Sequence, residues 1–170
     1  MFHDPLAAKL AGEQGRKIIG SLPKQAFIGG WTVVIRTRII DDFIQDAIAE
    51  GVDTILNLGA GLDTRPYRME LPKSLRWIEV DYPHVIELKE IRLSGETPRC
   101  RVERVRLDLA DVTVRRTFLD EVAAQSIRVL VLTEAVTPYL SEDAVAFIGA
   151  VHGRHRRQAG RYSRKNTLQY

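Results

Sequence analysis

The 170 residues carry 45% hydrophobic and 28% charged side chains, enough apolar content for a chain of this length to bury the core of one domain. The single cysteine, Cys100, excludes an intrachain disulfide and argues against a thiolate metal cluster. The formal net charge of +3 divides unevenly: six of the 25 Lys and Arg residues fall between 152 and 170, where there is no acid, so the body is mildly acidic and the basic end, with only Tyr162 and Tyr170 interleaved, reads as a solvated tail and not a nucleic-acid surface.

The first residues, Met1 to Pro5, show neither the basic start nor the apolar centre of a signal peptide, and no apolar run is long enough to span a membrane. A cytoplasmic address is therefore expected. Leu6, Leu10, Ile18 and Ile19 with charges between them predict a helix over 6–19, broken near Gly12 and Gly15. The clearest helix covers 32–50, where Val33, Arg36, Ile40, Phe43, Ala47 and Ile48 recur at spacings of three and four. Ile39 and Ile44 broaden its stripe, and Gly51 follows as a stop.

Strands are predicted over 53–58 and 76–80, followed by a helix from Pro83 to about Ser94, with proline tolerated in the first turn. A third strand over 102–107, a helix over 114–125 and a fourth strand over 128–133 come next. The Val-Leu-Val-Leu run of that last strand suits burial on both faces. Ser141 is placed to cap a helix over 144–151, with Glu142 and Asp143 at its positive end. Alternating strands and helices imply a parallel sheet with right-handed crossovers. One domain is expected over 1–151 and a disordered basic tail over 152–170.

The most informative stretch is 57–68, Asn-Leu-Gly-Ala-Gly-Leu-Asp-Thr-Arg-Pro-Tyr-Arg, directly after the first strand. Gly59 and Gly61 remove side chains where the backbone turns sharply and a ligand can approach. Asp81 ends the second strand, where an acid in a βαβ unit reaches the ribose of a bound nucleoside. Glu79, two residues earlier on the same side, is a second candidate for that contact. A dinucleotide fingerprint would place a third glycine where Thr64 stands, which disfavours NAD. His3, His84, His152 and His155 show no metal-ligand spacing, and no metal site is expected.

Residues 57–65 with Tyr67-Arg68, then Glu79-Val80-Asp81-Tyr82-Pro83, closely resemble the leucine carboxyl methyltransferase family and its bacterial polyketide O-methyltransferase relatives. The likeness runs from His3-Asp4-Pro5 through Arg36-Thr37-Arg38 and Asp41-Asp42 to Asp108-Leu109 and residues 134–140, covering roughly 3–150. It implies a Rossmann-like class I fold, a doubly wound, mostly parallel sheet, with S-adenosylmethionine (SAM) as cofactor.

By the same resemblance Arg36 pairs with the methionine carboxylate, Gly59 and Gly61 let backbone amides approach the methionine part, and Asp81 takes the ribose. Asp108 and Leu109 contact adenine, and Glu134 lies close to the methionine ammonium. Tyr139 is near the acceptor carboxylate and is the candidate catalytic residue. Other readings stay open for three of these: a solvent-facing charge for Arg36, a loop cap for Asp108 and a packing aromatic for Tyr139. A surface role is expected for Arg65 and for Arg68, with holding the loop or attracting an anionic acceptor as the alternatives.

The implied reaction moves a methyl group to a carboxylate, or a hydroxyl, of a small molecule or peptide terminus. A carboxylate is ionised near neutral pH and requires no general base. The family continues with further strands beyond residue 151, where this sequence turns basic and unpatterned. A truncated or frameshifted product with weak turnover is therefore expected, its fourth strand open to self-association. The alternative is a catalytically dead binding or scaffolding module.

Overall fold

The computed structural model describes residues 4–21 and 26–134. The predicted helix over 144–151, its cap at Ser141, Tyr139 and the basic tail lie outside them. Two helices come first, α1 (Ala7–Ser21) and α2 (Ala26–Ala49). Then β1 (Thr54–Leu58), the short α3 (Arg65–Arg68), β2 (Arg76–Asp81), α4 (Pro83–Arg92), β3 (Arg101–Arg106), α5 (Val112–Gln125) and β4 (Val129–Leu132) follow.

The four strands form one parallel sheet in the order β3-β2-β1-β4. All five residues of β1 are buried, as its central place requires. Strand alternation divides the core in two. Ile55, Trp77, Leu130 and Leu132 pack with Ile44 of α2 on one face, while Leu56, Leu58, Ile78 and Val80 meet Leu119 and Val122 of α5 on the other. Helices on both faces make the sheet doubly wound, as expected.

Several boundaries differ from the sequence reading. Helix α1 bends only at Gly12, whose φ of 61° and ψ of −163° suit glycine alone. Helix α2 starts six residues earlier than predicted. It buries Asp41 and Ile44 and half-buries Ile40, Ala47 and Ile48, leaving Val33, Ile39 and Phe43 exposed. Apolar residues surround this helix between 39 and 44, so periodicity alone does not choose the inward face.

Helix α5 begins at Val112 because Asp111 caps it, its Oδ1 accepting from the amides of Thr113 and Val114 at 3.0 Å each. Asp111→Ala is expected to cost about 1 kcal/mol. Urea unfolding checks this, and an unchanged midpoint would deny the cap its role.

Candidate functional site

A cleft of about 400 Å³ opens beyond the carboxyl ends of β1 and β4. The chain leaves β1 toward β2 and β3, then crosses to β4 on the other side of β1. This is the topological switch point, where open α/β sheets bind ligands. Loop residues 59–65 form one wall, α2 contributes Arg36 and Thr37, the start of the chain contributes Asp4 and Ala7, and Glu134 follows β4.

Gly59 and Gly61 have φ values of 69° and 47°, left-handed conformations that favour glycine. The loop between them is tied to β2. The amides of Gly59 and Ala60 donate to the Val80 carbonyl at 2.8 and 3.1 Å, and the Gly61 amide donates to Asp81 Oδ2 at 2.7 Å. The glycines thus bare a wall of the cleft, but these three amides are already used within the fold. Asp81 Oδ1 also accepts from the Tyr82 amide at 2.7 Å.

The polar floor is built around Arg65, 4% exposed. Its Nε donates to Asp41 Oδ1 at 2.8 Å, and its Nη1 to Asp63 Oδ2 and Glu134 Oε2, both at 3.0 Å. Arg68 grips both oxygens of Asp41, at 2.6 and 2.9 Å. Asn57, at the end of β1, donates to Asp63 at 2.8 Å, and Thr64 Oγ1 donates to Asp4 Oδ2 at 2.6 Å. Burial alone would favour loss of the Arg65 proton, but the carboxylates of Asp63, Asp41 and Glu134 outweigh it and raise its pKa.

The expectation of a surface place for Arg65 and Arg68 is therefore corrected. Both hold the loop from beneath, neutralising carboxylates supplied by α2, the loop itself and the end of β4. No periodicity in the sequence announces this, because the partners of Arg65 lie at residues 41, 63 and 134. The signal available was the co-occurrence of Asp41, Asp63 and Glu134 with two arginines in one short segment.

Arg36 is 52% exposed along its side chain, not buried on the apolar face of α2, yet it lines the cleft and its Nε donates to Glu134 Oε1 at 2.9 Å. Glu134 thus has one oxygen on a buried arginine and the other on a half-exposed one. Among the cleft-lining side chains Asp4, Asp63 and Glu134 face Arg36, Arg65 and Arg68, three charges of each sign.

Glu79 takes no part in the cleft. It is fully buried between Lys89 of α4, at 2.7 Å, and Arg104 of β3, at 3.0 Å, and Arg104 reaches on to the Tyr67 hydroxyl at 2.5 Å. Burial pushes its carboxyl above the usual range, against the pull of both cations. Burial likewise pushes the Cys100 thiol up to about 11.

The structure thus brings Arg36, Gly59, Gly61 and Glu134 together around one cleft. Asp81 stands behind the glycine loop and joins it through Gly61. Asp108 is exposed, and its carboxylate accepts from the Ala110 amide at 2.8 Å, the loop-cap geometry. The Leu109 side chain packs in the core, and its carbonyl accepts from the buried Arg115. Both sit past the end of β3, apart from the cleft lining.

A doubly wound parallel sheet with a glycine loop and a charge-lined cleft at its switch point defines a nucleotide-cofactor domain of the Rossmann-like class. The family model described as leucine carboxyl methyltransferase matches residues 1–149, and the chain belongs to that family. It is 31% identical over 161 residues, 87% of its length, to candidate S-adenosyl-L-methionine-dependent methyltransferases of Streptomyces avermitilis and Streptomyces coelicolor. It is 35% identical over 113 residues, 62% of its length, to another from Frankia alni. It spans 55% of each Streptomyces protein and 40% of the Frankia one, about half the length of these relatives.

Among the described residues no helix is long and apolar enough to cross a membrane, and no group of His, Cys, Asp and Glu side chains is arranged to hold a metal.

Proposed function

We propose that this chain binds SAM in the switch-point cleft as the cofactor-holding part of a cytoplasmic O-methyltransferase, over a domain reaching residue 151. The observation that carries the reading is the meeting of Arg36 and Glu134, 2.9 Å apart on the cleft wall. A ligand with an α-amino acid end needs a cation for its carboxylate and an anion for its ammonium, and these two side chains supply them. The bare glycine wall and the acid of Asp81 behind it suit a nucleoside joined to that amino acid.

SAM supplies a methyl group on a positively charged sulfur. The chain's own residues bind and orient. Arg36 holds the carboxylate through a planar fork, Glu134 the ammonium and Asp81 the ribose hydroxyls, with the adenine edge reaching out of the cleft lining to Asp108 and the Leu109 backbone past the end of β3. The acceptor in this reading is a carboxylate, or a hydroxyl, of a small molecule or peptide terminus. An acceptor carboxylate is already ionised at neutral pH, so alignment and exclusion of water suffice, and Tyr139 serves to place it.

Calorimetric titration of the 170-residue chain with SAM, and with NAD for comparison, tests the reading. Saturable SAM binding is expected, weakened on the order of 10- to 100-fold by Asp81→Ala, the worth of hydrogen bonds to a charged group. A folded chain that binds NAD in preference, or neither ligand, would refute it.

A further inference from the structure

Glu134 holds its two oxygens in unlike surroundings. Oε2 accepts from Arg65, which is buried and fixed by Asp41 and Asp63, whereas Oε1 accepts from Arg36, whose side chain is half open to water. The first contact anchors the carboxylate. The second costs little to break, because an ion pair at a wet cleft mouth is weak. We infer that the Arg36–Glu134 pair is an exchange element that selects ligands carrying both charges of an amino acid.

This inference rests on the function proposed above. A ligand ammonium takes Oε1 while Arg65 keeps Oε2 in place, and the released Arg36 takes the ligand carboxylate. A zwitterion replaces both halves of the broken pair. A ligand with only the carboxylate or only the ammonium breaks the same pair but replaces one half of it, so it gains one contact where a zwitterion gains two. A ligand with neither leaves the pair intact and draws nothing from it.

The exchange has a thermodynamic signature. In Arg36→Met the ligand loses one contact but no longer has to break the pair, and the same holds for Glu134→Gln. In the double variant both contacts are lost and the relief is gained only once. The double variant should therefore lose SAM affinity by roughly two- to fivefold more than the product of the two single losses.

The test is calorimetry of SAM and of 5′-methylthioadenosine, which lacks the amino acid, on the full chain and its three variants, with circular dichroism to establish that each is folded. Methylthioadenosine affinity is expected to stay within about twofold across the set. A double loss equal to or smaller than the product would overturn the exchange while leaving SAM binding standing. Equal losses for methylthioadenosine would also overturn it, since the pair would then act on the whole cleft. A folded parent chain that binds neither ligand would overturn the proposed function and the exchange with it.

Discussion

Replacing Arg65 with methionine is expected to destabilise the fold by about 3–5 kcal/mol, the cost of removing one partner from a buried ionic cluster. The change removes the cation that Asp41, Asp63 and Glu134 share, and the residue is 4% exposed, so water cannot substitute for it. Arg68, Asn57 and Arg36 still contact one carboxylate each, which keeps the effect below complete collapse. Arg65→Lys should recover only part of the loss. A single ammonium on a flexible stem cannot reproduce a fork whose Nε faces Asp41 while its Nη1 serves Asp63 and Glu134. Urea unfolding of the two variants decides it, and a loss below about 1 kcal/mol for Arg65→Met would place the cluster among surface ion pairs.

The second large effect lies on the far side of β2. Lys89→Met takes the ammonium from Glu79, which is fully buried and keeps only Arg104. A deficit of about 3–5 kcal/mol is expected near neutral pH. Its pH dependence follows from the direction of the shift. Burial raises the Glu79 carboxyl above its unfolded value, and losing Lys89 raises it further. A carboxyl so raised favours the folded state below its unfolded pKa, and that contribution disappears as pH climbs through the folded pKa. The deficit should therefore be largest at the alkaline end of the range and shrink as the pH falls and Glu79 takes up a proton. A deficit that does not change over this range would mean that Glu79 is not where the cost resides.

The sheet was legible in the sequence because its signals are local. Apolar runs between turn signals marked β1, β2 and β4, and the glycines after β1 marked the cleft. Helix α3 was missed because four residues, Arg65–Arg68, hold no periodic pattern. Lys89 is a plain solvent charge by sequence, since its partner Glu79 lies on another element, ten positions away. The inward face of α2 could not be read from its apolar residues because the burial of Asp41 depends on Arg65 and Arg68. At Lys89 and at Asp41 the sequence concealed a charge whose burial is decided by a partner elsewhere in the chain.

Residue order also sets a timetable for the cleft. β1 lies between β2 and β4, and residues 59 to 128 separate it from the latter. At translation rates of roughly 5–20 residues per second, β1 has one edge without its neighbour for on the order of 4–14 s after it is made. During that interval Arg65 has Asp41 and Asp63 but not Glu134. The carboxylate that completes the cleft is thus among the last of the described residues to leave the ribosome, and it arrives at a guanidinium already oriented by its neighbours.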